Sequence, residues 1–199
     1  MLFEFKFMLS KLREFSNSVF EKFSFIGNFL SPNSITLLGL LSSILGGYLL
    51  VKRNFVFSAI FFLLSGFFDL LDGIVARRFK KATTFGGVLD AVVDRYEEFV
   101  MVFSSFLSGL VNGELALITF LSMIMPSYVR ARAESTGKMK SCAVGILERQ
   151  EKLLLFVVFL IFQNFFESSL FYCFIIISIL GQITAIQRIL AAKRANRKI

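Results

Sequence analysis

Residues 35–51 read ITLLGLLSSILGGYLLV and residues 55–79 read FVFSAIFFLLSGFFDLLDGIVARRF, two apolar runs separated only by Lys52-Arg53-Asn54. A bilayer core takes about 20 apolar residues in helical form, so the pair reads as two consecutive membrane spans joined by a tight turn. Ser31-Pro32-Asn33-Ser34 breaks the chain just before the first run. Working outward, further apolar stretches at 84–111, 115–133, 150–166 and 168–190 complete a set of six. With 56% hydrophobic residues and a mean hydropathy of +0.73, an ordinary soluble domain is excluded. The expected fold is an all-α integral membrane domain over residues 31–199, built from six transmembrane helices.

Residues 1–30 form a separate unit. They carry too many charges for a span (Glu4, Lys6, Lys11, Arg13, Glu14, Glu21, Lys22), yet Phe5, Met8, Leu9, Leu12, Phe15, Val19, Phe23 and Ile26 recur at helical spacing. This pattern predicts an amphipathic helix lying in the membrane interface, or packed on the domain, and retained because it lacks the short apolar core and cleavage site of a signal peptide.

Charge orients the bundle. In a six-span topology all of the 22 Lys and Arg residues fall on the side of the termini except Lys52 and Arg53. Such a bias predicts termini on the cytoplasmic face of the cell membrane. The net charge of +8 therefore reflects topology and membrane lipid, and nucleic acid is not an expected partner.

The chain contains no histidine, and its two cysteines, Cys142 and Cys173, have neither metal-ligand spacing nor a disulfide framework. Ser-His-Asp and Cys-His catalysis and His-ligated zinc are excluded, so acid–base or metal chemistry must use carboxylates. All four aspartates, Asp69, Asp72, Asp90 and Asp94, sit within one 26-residue window. Asp69 and Asp72 are i,i+3 near the cytoplasmic end of the second span; Asp90 and Asp94 are i,i+4 early in the third. Each pair occupies one helix face, and consecutive antiparallel helices can bring the faces together.

A carboxylate inside a span costs on the order of 3 kcal/mol, so the four need compensation. Divalent cations supply it, and an all-oxygen donor set favours Mg²⁺, Mn²⁺ or Ca²⁺ over zinc. Four carboxylates suffice for two ions about 4 Å apart, an arrangement suited to phosphoryl chemistry. The competing readings are a buried ion network with Arg77, Arg78 or Arg95, and the ion path of a cation transporter.

The window runs Asp69-Leu70-Leu71-Asp72-Gly73-Ile74-Val75-Ala76-Arg77, then on to Gly86, Asp90 and Asp94. Every fixed position fits D-x2-D-G-x2-A-R-x8-G-x3-D-x3-D, so the chain resembles the CDP-alcohol phosphatidyltransferase family. The six spans, the N-terminal helix and Pro32, Asn33 and Thr36 in a Pro-Asn-x-x-Thr stretch extend the likeness over most of the chain. The resemblance implies transfer of a lipid phosphate from CDP-diacylglycerol or CDP-archaeol to an alcohol, with release of CMP, by a homodimer. It implies that Asp69, Asp72 and Asp90 hold Mg²⁺ (two ions, or Mn²⁺) and that Asp94 is the general base, itself a metal ligand or not. It assigns Asn33, Thr36, Gly73, Ala76, Arg77, Thr83 and Gly86 to the CDP-lipid. Gly73, Ala76 and Gly86 leave room for close approach, and the forked guanidinium of Arg77 suits a diphosphate. Thr83 and Thr84 can both reach a nucleotide; the resemblance favours Thr83.

A second stretch addresses the acceptor. Tyr128-Val129-Arg130-Ala131-Arg132-Ala133-Glu134 and Gly145-Ile146-Leu147-Glu148-Arg149-Gln150-Glu151-Lys152 place a basic cluster on the active-site side, suited to a phosphorylated acceptor or to lipid headgroups. These segments are similar to those of the inositol-phosphate-using branch of the family. That likeness implies that Arg132, Lys152 and Arg188 bind the acceptor phosphate, with Lys193 close behind Arg188. Glycerol 3-phosphate, as in phosphatidylglycerophosphate synthase, is the alternative acceptor.

Overall fold

The computed structural model describes residues 24–136 and 141–196. A short 3-10 helix, Ser24–Asn28, leads into α1 (Pro32–Val51), α2 (Phe55–Arg78), α3 (Thr84–Leu107), α4 (Gly113–Thr136), α5 (Arg149–Phe162) and α6 (Ser169–Asn196). No strand occurs among the described residues. Most of the amphipathic helix expected at the N-terminus lies outside them.

Local chemistry sets the boundaries. Ser31 caps α1 by accepting the Ser34 amide at 3.1 Å, and Pro32 occupies the first turn, where no amide donor is needed. Arg53 adopts a left-handed φ of 58° in the expected turn between α1 and α2. Thr83 caps α3 by accepting the Gly86 amide at 3.0 Å. α3 stops at Leu107, short of residue 111, because Ser108 caps it and Gly109 turns the chain at φ +74°. α5 begins with a reciprocal Glu148–Glu151 capping box and ends at Phe162, before the expected 166. α6 runs past residue 190 through Lys193 and Arg194.

All six expected helices are present, and four of them, α1, α2, α4 and α6, are long and apolar enough to cross a membrane. α3 carries Asp90, Asp94, Arg95, Glu97 and Glu98, and the 14 residues of α5 rise only about 21 Å at 1.5 Å per residue.

α1 packs against α2 and α3, α4 against α6, and α5 bridges α2 and α6. Small residues permit the closest approaches. A Cβ on Gly47 of α1 would lie 2.7 Å from Val100 of α3, and one on Gly181 of α6 would run into the Ser122 carbonyl of α4. Ser58 donates to the Gly46 carbonyl across α1 and α2 at 2.8 Å. Between α2, α5 and α6 the core closes on Phe62, Phe156 and Phe174, whose ring centroids are 5.2 and 6.3 Å apart in sequence. Much of the remaining apolar surface, including Leu37, Phe57, Leu117 and Ile186, faces outward, as lipid-facing surface does. The chain is an integral membrane protein.

Candidate active site

The antiparallel turn between α2 and α3 brings the aspartates together. Asp69, Asp90 and Asp94 each offer a carboxylate oxygen, and these oxygens lie within 4.8 Å of one another. Oδ1 of Asp90 is buried without a hydrogen-bond donor. A buried, unsatisfied carboxylate among like charges is a costly arrangement by itself. It is the donor set a hard divalent cation takes, so the residues fit the metal that the sequence implies. Asp72 stands apart from this trio: it is buried, and its Oδ2 accepts the hydroxyl of Thr36 from α1.

Two cavities flank the carboxylates. The smaller, of about 190 Å³, is lined by Pro32, Asn33 and Thr36 of α1, Asp72, Gly73, Ala76 and Arg77 of α2, and Thr83, Gly86 and Asp90 at and beyond the start of α3. All seven residues assigned from sequence to the CDP-lipid therefore meet on one cavity. Gly86 has a steric reason to lack a side chain, since a Cβ there would lie 3.1 Å from Thr83 Oγ1 and 3.2 Å from Asn33 Oδ1. Thr83 spends its hydroxyl oxygen on the helix cap, and Thr36 spends its proton on Asp72, so both side chains also shape the cavity from behind.

The larger cavity, of about 830 Å³, lies across Asp69, Asp90 and Asp94. Its walls include Arg95, Arg130, Arg149, Lys152 and Arg188 together with Glu134 and Glu148. Asp90 lines both cavities, which places the carboxylate cluster at their junction. Arg188, 5% exposed, is fixed by donation to the carbonyls of Pro126 at 2.7 Å and Val144 at 2.8 Å. The Lys152 ammonium pairs with Glu98 and donates to the Met123 carbonyl at 3.2 Å.

Arg132 is exposed and is absent from the cavity wall. On α4 the cavity takes Ile124, Pro126, Ser127, Tyr128, Arg130, Ala131 and Glu134, a broad arc centred on the row of Ser127, Ala131 and Glu134, and Arg132 lies just beyond its edge, past Tyr128. Arg130, paired with Glu134 at 3.0 Å, holds the position on the wall that sequence reading gave to Arg132. Lys193, the alternative to Arg188, is likewise absent from the wall.

Three charged residues escaped the sequence reading. Arg149 sits across Asp69 and Asp94, 2.9 Å from the latter, and pairs with Glu97; Glu98 joins Arg95 and Lys152. Glu97 and Glu98 are buried. The available signal was position: an adjacent pair of carboxylates inside an expected span is a functional candidate by default.

An apolar helical bundle enclosing a cluster of carboxylates between a narrow cavity with an arginine and a wide basic one defines a membrane enzyme for phosphate-linked substrates. Residues 29–187 match the profile of the CDP-alcohol phosphatidyltransferase family, and the chain belongs to that family. It is 33% identical over 192 residues to archaetidylinositol phosphate synthase of Pyrococcus horikoshii, covering 94% of this chain and 97% of that one. Its fold is similar to the crystal structure of Mycobacterium tuberculosis phosphatidylinositol phosphate synthase with CDP-DAG bound, with a TM-score of 0.74, 25% identity, and coverage of 89% of this chain and 92% of that one. A second structure of that synthase, in complex with manganese and citrate, gives a TM-score of 0.74 at 25% identity over 89% of this chain and 88% of that one.

Proposed function

We propose that the protein transfers a phosphatidyl or archaetidyl group from a CDP-linked lipid to a hydroxyl of inositol phosphate, releasing CMP. One observation carries the reading: the carboxylate cluster lies at the junction of two cavities, the seven residues assigned to the CDP-lipid on one side and five cations on the other. The names of the relatives, archaetidylinositol phosphate synthase and phosphatidylinositol phosphate synthase, support inositol phosphate over glycerol 3-phosphate.

The CDP-lipid enters the narrow cavity with Arg77 against its diphosphate. The acceptor enters the wide cavity with its phosphate on Arg188 and Lys152, and with Arg130 in the role expected of Arg132. Its hydroxyl oxygen attacks the phosphorus nearest the lipid; the bond from that phosphorus to the CMP oxygen breaks, and CMP takes the electron pair. Asp94 receives the hydroxyl proton. Asp69, Asp72, Asp90 and Asp94 are the residues to hold Mg²⁺, as two ions, or Mn²⁺. A bound divalent cation neutralises diphosphate charge and stabilises the leaving oxygen. Manganese in the similar mycobacterial enzyme supports the metal assignment.

The active site faces the cytoplasm, where both the nucleotide and the inositol phosphate are water-borne. All six helices cross the bilayer, with both chain termini on the cytoplasmic side. Residues 1–30 form the interfacial unit and residues 31–199 the catalytic membrane domain, which works as a homodimer. Purified protein supplied with CDP-lipid and Mg²⁺ should release CMP with inositol phosphate and far less with glycerol 3-phosphate, serine or free inositol. Ion flux in vesicles without CMP release under any acceptor would instead indicate a transporter.

A further inference from the structure

A buried carboxylate that the reaction does not use lies behind two cations of the acceptor cavity. Glu98 of α3 is 2% exposed and does not line the cavity, whereas Arg95 and Lys152 both do. Its Oε1 pairs with the Lys152 ammonium from α5, and its Oε2 lies 3.1 Å from Nε of Arg95 one turn earlier on α3. Lys152 donates further to the Met123 carbonyl of α4, and Arg95 to Ser127 Oγ of the same helix. Arg95 also sits 3.5 Å from Asp94. Three helices thus meet at one carboxylate. α3 and α5 scarcely approach each other backbone to backbone, so side chains link the helix bearing Asp90 and Asp94 to the helix bearing Lys152.

We infer that Glu98 is a positioning residue for the acceptor: it fixes Lys152 on the cavity wall so that the ammonium meets the acceptor phosphate already ordered. The inference rests on the reading of the wide cavity as the inositol phosphate site. A lysine loses much rotamer freedom when it is ordered. Held beforehand by Glu98 and the Met123 carbonyl, Lys152 has lost that freedom before the acceptor arrives, and binding is stronger for it. Without Glu98 a 4%-exposed ammonium lacks its counter-charge, and it turns neutral or leaves the wall. Glu98 therefore acts through Lys152 and touches neither substrate.

The test measures both Michaelis constants and kcat for Glu98→Gln, which keeps side-chain shape and removes charge. The expected result is a KM for inositol phosphate raised ten-fold or more, with kcat and the KM for CDP-lipid changed less than three-fold. In a Lys152→Met background, Glu98→Gln should add less than two-fold. Equal damage to both KM values, loss of kcat alone, or a full further loss in the Lys152→Met background overturns the inference. Should Glu98→Gln not fold, Glu98→Asp, which withdraws the charge by one methylene, should raise only the inositol phosphate KM; an unchanged KM overturns the inference. Arg188→Ala is measured alongside. A raised KM there with none in the Glu98 variants refutes the positioning role alone, whereas no rise in either refutes the reading of the cavity itself.

Discussion

The hydroxyl of Thr36 on α1 donates to Oδ2 of Asp72 on α2, so a helix with no acidic residue of its own orients the carboxylate that stands beside the Asp69, Asp90 and Asp94 cluster. The same hydroxyl oxygen lies 3.1 Å from the Pro32 carbonyl, the alternative acceptor for its single proton. Thr36→Val keeps the shape and removes the proton. A hydrogen bond to a charged acceptor contributes about 1.5–3 kcal/mol, so kcat should fall on the order of ten-fold or more, while Thr36→Ser retains most of it. An unchanged kcat in the valine variant at wild-type thermal stability would mean that Thr36 only packs.

The aspartate window was legible because its information is local: fixed spacing within two helices determines which side chains share a face, and the short connection between them makes the faces meet. The order of the helices and the grouping of Asn33, Thr36, Gly73, Ala76, Arg77, Thr83 and Gly86 around one narrow cavity were legible for the same reason. The basic wall of the wide cavity was not, since it is assembled from α3, α4, α5 and α6, and the rotation of each helix about its axis decides which cation faces inward. Arg130 and Arg132 are two positions apart, roughly 200° around a helix, and no periodicity in that polar stretch said which one is inside. Glu97 and Glu98 lie beyond the fixed spacing, which ends at Asp94, although the same helix face continues one turn further.

Asp90 carries a buried oxygen with no donor, which makes it the most direct probe of the metal site. Mn²⁺ binding to purified protein, followed by the loss of the free-ion paramagnetic resonance signal, should be strong in the wild type and lost in Asp90→Asn. The rise in Tm that Mn²⁺ or Mg²⁺ gives the wild type should vanish with it. Wild-type binding by the Asn variant would remove Asp90 from the metal site.

Arg130 lines the wide basic cavity proposed to take the acceptor, and Arg132 does not. Arg130→Ala should raise the KM for inositol phosphate ten-fold or more, corresponding to about 1.4 kcal/mol of binding, and Arg132→Ala less than three-fold. Steady-state kinetics at saturating CDP-lipid distinguish them. The reverse ranking would restore the role to Arg132.

The distribution of Lys and Arg predicts the α4–α5 connection on the cytoplasmic side and the α5–α6 connection on the other. Ser141 and Ser168 are exposed in these two connections. Replaced singly by cysteine in a background without Cys142 and Cys173, they should react with a membrane-impermeant maleimide from opposite sides of sealed vesicles. Reaction from the same side would remove α5 from the set of spans.

The chemical identity of the lipid product tests the central claim most directly. Purified enzyme given CDP-lipid, inositol phosphate and Mg²⁺ should form, alongside CMP, a lipid whose mass equals the lipid phosphate plus inositol phosphate less water. That product keeps the acceptor's phosphate as a monoester that phosphatase removes. A product lacking the monoester, or one formed only when free inositol or glycerol 3-phosphate is supplied, would contradict the assignment of the basic cavity to inositol phosphate.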